Sequence, residues 1–166
     1  VTAFCAKPMF MSDLRETLMH ALGEKICAEN ESDRIQKEID FQNKHLLLVE
    51  DNELNREIAE AILENYGFVV DKAENGAVAV EMVKSASAGT YDCILMDVLM
   101  PVMDGYEATK SIRSLKDPSF SNIPIIAMTA NAFKEDQEKA YASGMNDYIP
   151  KPIDIKNVCK TISKYV

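Results

Sequence analysis

From residue 44 onward the chain alternates short apolar runs with helix-length segments of helical apolar spacing, the pattern of a parallel sheet covered by helices. Parallel strands cannot be joined by a tight turn, so each pair needs a crossover, and crossover helices bury both faces of the sheet. Residues 45–49 read as a buried first strand. Residues 54–66 carry Ile58, Ala59, Ile62 and Leu63 on one helical face and stop at Gly67. A strand over 68–71, a helix over 77–87, a strand over 91–96 and a helix over 106–115 follow. A strand over 123–128, a helix over 133–142 closing at Gly144, a strand over 148–149 and a helix over 155–165 complete the series. These units predict an α/β fold with a five-stranded parallel doubly wound sheet, five helices, and a site at the carboxyl ends of the strands.

The first 43 residues break that rhythm but echo its end. When Lys7-Pro8 is aligned with Lys151-Pro152, Cys5, Leu14 and Leu18 fall on Ile149, Val158 and Ile162. Residues 1–23 therefore read as the C-terminal remnant of a preceding copy of the domain, 24–43 as a charged linker, and 44–166 as the domain itself. The chain opens on Val1 in mid-pattern, so a longer parent polypeptide is expected.

Carboxylates gather where the topology opens a site. Glu50 and Asp51 follow the first strand and Asp97 belongs to the end of the third; in a sheet ordered 2-1-3-4-5 those strands are neighbours. Carboxylates brought together repel one another unless a cation joins them. The donor set suits a hard ion, Mg²⁺ with Mn²⁺ as the alternative, held by Asp51, Asp97 and the Leu99 carbonyl directly and by Glu50 through water. An Asp in that position can also act as a nucleophile and form an aspartyl phosphate. The phosphoryl oxygens then need a cation and a hydroxyl or amide donor. Thr129 ends the fourth strand and Lys151 follows the fifth. Singly these signals are weak, since an acidic pair can be a solvated loop end. Together they form a phosphoryl-transfer constellation.

Four blocks carry a closer likeness: Leu48-Val49-Glu50-Asp51-Asn52; Met96-Asp97 with Pro101 and Asp104-Gly105 behind it; Met128-Thr129-Ala130-Asn131-Ala132; and Tyr148-Ile149-Pro150-Lys151-Pro152. They resemble the signature sequences of the receiver domain of two-component response regulators, over residues 44–166. The resemblance implies a flavodoxin-like fold, Asp97 as phosphoacceptor, Glu50 and Asp51 as the acidic pair, and Lys151 and Thr129 on the phosphoryl oxygens. It further implies Tyr148 as switch aromatic and a cis Lys151-Pro152 bond. The implied partners are a histidine kinase core or a histidine phosphotransfer protein, with a second receiver domain as a further one. Asn55-Arg56 and the 129–132 run are similar to receivers at the C-terminus of hybrid sensor histidine kinases. A stand-alone response regulator and a docking-only pseudo-receiver are the alternatives for the parent. Leu99 stands where many relatives have a polar residue, which leaves the phosphoryl lifetime open.

Other classes fare worse. Asp+Glu 27 against Lys+Arg 18 gives net charge -9, which opposes nucleic-acid binding without a basic patch. Lys110, Arg113 and Lys116 read as a solvated helix face. Four dispersed cysteines, Cys5, Cys27, Cys93 and Cys159, form no CxxC pair and read as free thiols of a reducing, cytoplasmic protein. No apolar run reaches the roughly 18 residues that span a bilayer, so no membrane contact is expected from this segment. A dinucleotide site lacks its GxGxxG loop. A Mg²⁺-dependent phosphohydrolase with an Asp nucleophile would want a second Asp two residues on, where Leu99 stands. His20 lacks phosphohistidine surroundings, and His45 reads as structural.

Overall fold

The computed structural model describes residues 41–131 and 133–166. The readings placed on residues 1–40, including the remnant, most of the linker, Cys5, Cys27 and His20, lie outside the described residues. Strand β1 spans His45–Val49, β2 Val69–Ala73, β3 Cys93–Asp97, β4 Ile125–Thr129 and β5 Asp147–Pro150. They form one parallel sheet in the order β2-β1-β3-β4-β5, the predicted topology. Its register pairs Leu46 with Cys93, Asp97 with Met128 and Thr129 with Pro150.

Helix α1 spans Glu53–Asn65, α2 Gly76–Ser85, α3 Gly105–Arg113, α4 Pro118–Ser121, α5 Lys134–Ser143 and α6 Ile155–Ile162. Among the described residues the count is six where the sequence suggested five, because α4 is a single turn too short to show periodicity. Asp117 caps it by accepting the Ser119 N–H, and Pro118 occupies its first turn, a start signature that needs no apolar face. Side-chain caps also start α1 (Asn52), α2 (Asn75), α3 (Asp104) and α6 (Asp154).

Every residue of β3 and β4 is buried, as expected of central parallel strands covered on both faces. Leu47, Val49, Ile94, Met96, Ile125 and Ala127 pack with Val80 and Val83 of α2, Ile112 of α3 and Ala140 of α5. The alternate strand residues, Leu46, Leu48, Leu95, Ile126 and Met128, are equally buried on the other face. At the edge opposite the carboxyl ends, His45 Nε2 lies 3.2 Å from Asp71 Oδ2, and the Tyr91 hydroxyl donates to Asp71 at 2.9 Å, a structural role for His45. Phe41, read as linker, is buried and stacks on Phe68 at 4.6 Å, so the described unit begins ahead of residue 44.

Arg113 departs from the solvated face assigned to it. Its guanidinium is half-buried and donates to the carbonyls of Gly144 (2.9 Å), Ser121 and Ile123 (both 2.8 Å) and to Asn146 Oδ1 (2.8 Å). It ties the end of α3 to α4, to the start of β4 and to the turn before β5.

Candidate functional site

The carboxyl ends of β1, β3, β4 and β5 bring together Glu50, Asp97, Thr129 and Lys151. Glu50 follows Val49 and is 2% exposed; Asp97 closes β3 and is 5% exposed. Lys151 Nζ bridges them, 2.6 Å from Glu50 Oε2 and 2.8 Å from Asp97 Oδ2. One ammonium thus serves two buried carboxylates. Burial pushes the Asp97 carboxyl up; Lys151 pulls it down by hydrogen bond and charge, Glu50 repels it upward, and the Leu99 N–H pulls it down. The balance leaves it above the ordinary carboxylate range. Burial alone would lower the Lys151 ammonium, but its bonds to Asp97 and Glu50 outweigh that and hold it raised.

Asp51 is exposed, and ligand oxygens of Glu50, Asp51 and Asp97 all lie within 4.8 Å of one another. This all-oxygen, net-acidic set fits a hard divalent cation, with two carboxylates already desolvated and a third reaching from solvent. Leu99 is 76% exposed and lines a cleft of about 450 Å³ beside Asp97. The loop beyond turns tightly at Val102, φ +69°, where Met103 N–H bonds the Pro101 carbonyl at 2.8 Å. It returns to Gly105, which touches the Asp97 carbonyl oxygen so closely that a Cβ has no room.

The Thr129 hydroxyl donates to the Asn131 carbonyl at 2.7 Å and accepts the Asn131 N–H at 3.2 Å, so its proton is engaged within its own loop. Lys151 is seated by its N–H bond to the Thr129 carbonyl at 2.7 Å, and its bond to Pro152 is cis, as expected. Tyr148 stands apart from this group, half-buried on β5 with its ring edge-on to Tyr141 at 6.4 Å.

Three supporting residues carried no role in the sequence reading. Asn55 Nδ2 donates to Glu50 Oε1 at 3.3 Å, the Asn52 N–H reaches the same oxygen at 3.4 Å, and Arg56 Nη1 donates to the Glu50 carbonyl at 2.7 Å. Their signals in the chain were Asn52 in the first block, the Asn55-Arg56 pair behind it, and their place at the start of a helix beside the acidic pair.

A model of the response regulator receiver domain matches residues 46–163. The chain belongs to that family. The receiver is 40% identical over 144 residues to Hybrid signal transduction histidine kinase B of Dictyostelium discoideum, covering 81% of this chain and 7% of that protein. It therefore spans a small part of the relative's length. The receiver domain of sensor histidine kinase PA1611 from Pseudomonas aeruginosa PAO1 superposes with TM-score 0.67 at 38% identity, covering 74% of this chain and 97% of that one. That structure has a magnesium ion coordinated in its active-site cleft. The receiver of Saccharomyces cerevisiae Ssk1, solved with the histidine phosphotransfer protein Ypd1, gives TM-score 0.67 at 34% identity, covering 75% and 90%. The protein is thus a receiver domain of two-component phosphorelay signalling with the flavodoxin-like sheet order. Among the described residues no helix is long and apolar enough to cross a membrane.

Proposed function

We propose that Asp97 accepts a phosphoryl group from a partner's phosphohistidine. The observation that carries this reading is the pair of buried carboxylates sharing the Lys151 ammonium, with Asp51 beside them. An Asp97 carboxylate oxygen attacks phosphorus in line, the O–P bond forms as the P–N bond breaks, and the leaving imidazole keeps the electron pair and takes a proton. Asp51, Asp97 and the Leu99 carbonyl, with Glu50 through water, would hold Mg²⁺, or Mn²⁺ in its place, which when bound supplies positive charge against the phosphoryl oxygens. Lys151 moves from sharing Glu50 and Asp97 to pairing with a phosphoryl oxygen.

Thr129 gives up its Asn131 acceptor and turns its hydroxyl to the phosphoryl group, drawing in the loop to α5. Tyr148 follows toward the space this vacates. The switch is a population shift between two packings, driven by charge-assisted hydrogen bonds that exist only with the phosphoryl group in place. The partners are a histidine kinase core or a histidine phosphotransfer protein, with a second receiver domain as a further one. The parent is a hybrid histidine kinase, with residues 1–23 as the end of a preceding receiver-like domain, 24–43 a linker, and this segment in the cytoplasm; similarity to hybrid kinases supports it. A phosphohydrolase is disfavoured, because Leu99 offers no general acid.

The test is incubation with phosphoramidate or acetyl phosphate, with and without Mg²⁺, followed by intact mass and site mapping. A phosphate-sized gain that needs both Mg²⁺ and Asp97 is expected. Labelling of the Asp97→Asn variant at the wild-type level would overturn the assignment.

A further inference from the structure

We propose that Arg56 is a positioning residue that sets the acidic pair for the divalent cation, an inference resting on the metal-dependent reading above. The turn from β1 into α1 consists of Glu50, Asp51 and Asn52. Its main chain precedes the helix, so the carbonyls of residues 50 and 51 have no place in the α1 ladder; the ladder starts with the Asn52 carbonyl accepting the Arg56 N–H at 2.9 Å. Arg56 Nη1 reaches back to both orphans, at 2.7 Å to Glu50 O and 3.4 Å to Asp51 O. Holding those two peptide planes sends one side chain inward to Lys151 and leaves the other exposed to solvent, with their oxygens within 4.8 Å of each other.

Charge alone does not explain an arginine here. A cation in the first turns of a helix opposes the macrodipole, and it also repels a divalent ion held one turn away. Among the described residues Arg56 makes no ion pair, although Glu53, Glu57 and Glu74 line the same shallow groove of about 350 Å³. Its hydrogen-bond partners are main-chain carbonyls of the metal-binding turn, the pattern of an outer group that orients ligands without touching the ion.

The test measures Mn²⁺ affinity, by electron paramagnetic resonance of the free ion, for wild type, Arg56→Gln, Arg56→Lys and Asp51→Asn, beside metal-free thermal melts. The chain has no Trp, so tryptophan quenching is no substitute. Outer-group losses run about 10- to 100-fold, so Arg56→Gln is expected to weaken Mn²⁺ at least tenfold. Arg56→Lys, which keeps one carbonyl bond, should lose less, and both should melt within a few degrees of wild type. Unchanged or tighter binding in Arg56→Gln, while Asp51→Asn loses the ion, overturns this inference and leaves the proposed function standing. A weakening that tracks a collapse in melting temperature, with no rescue by Lys, also overturns it. Wild type and Asp51→Asn binding Mn²⁺ equally would overturn the metal-dependent reading and this inference with it.

Discussion

Replacing Arg113 by methionine keeps the length of the apolar stem and removes every donor. Four acceptors are affected. Asn146 Oδ1 also takes the Ile125 N–H at 2.9 Å and stays satisfied, so its share is near zero. The Ser121 and Gly144 carbonyls belong to half-buried residues that water can reach, for about 1 kcal/mol each. Ile123 is 5% exposed, and its orphaned carbonyl costs about 2 kcal/mol. Burial that already depresses the Arg113 guanidinium limits the total, because the methionine variant recovers that desolvation cost. The sum is about 3 to 4 kcal/mol. At roughly 2.1 cal/mol/K per residue for a unit running from Phe41 to Val166, this is a fall of about 11 to 15 °C in melting temperature. Urea unfolding followed by far-ultraviolet circular dichroism gives the free energy, and a thermal melt gives the shift. Arg113→Lys, with one ammonium for the same acceptors, should lose about half as much. A loss under about 1 kcal/mol for Arg113→Met would refute the reasoning and return Arg113 to an ordinary surface role.

Other outcomes follow from the same geometry. Lys151→Met leaves Glu50 and Asp97 buried without their shared cation and should cost about 3 to 5 kcal/mol in metal-free urea titrations, with part regained in Mg²⁺. Gly105→Ala sets a methyl against the Asp97 carbonyl oxygen and the Met96 side chain; a loss of about 2 kcal/mol with a fall in Mg²⁺-dependent labelling is expected, and an unperturbed melt would refute the close contact. Stability should decline in alkali. Burial pushes Tyr91 up to about 12 from 10.0, aided by its bond to Asp71, and burial pushes Cys93 up to about 12 from 9.0. The unfolded chain therefore gives up these protons first, and stability is lost as pH rises from about 9 to 12, with Tyr91 contributing part of the loss. Urea midpoints against pH should fall less steeply for Tyr91→Phe, and parallel curves would show that Tyr91 carries none of the effect.

The order of elements was legible because each strand–helix unit declares its period locally: the apolar run of residues 46–49, the spaced Ile58, Ala59, Ile62 and Leu63, the stop at Gly67. Boundaries moved by one to three residues, the largest shift being α6, which stops at Ile162 rather than at 165. Asn75 starts α2 at Gly76, and the third strand runs on to take in Asp97. The one-turn helix α4 was missed because a cap and a proline set it without periodicity. Phe41 was misplaced because a single aromatic in a charged stretch shows its value only when Phe68 is found beneath it.

The sequence by itself determined the class of sheet and, through the acidic pair, Asp97, Thr129 and the Lys151-Pro152 block, which residues stand at the carboxyl ends of its strands. These are properties of short segments, where spacing and residue type are enough. Tertiary structure alone decided how those residues share their charge. That Lys151 divides itself between Glu50 and Asp97, that Thr129 spends its proton on Asn131, and that two similar arginines serve opposite ends of the sheet all depend on distances between segments far apart in the chain. Arg56 grips the turn that carries the acidic pair and Arg113 staples the far side of the fold. No periodicity separates those two roles, because a guanidinium takes its function from the carbonyls that folding brings to it.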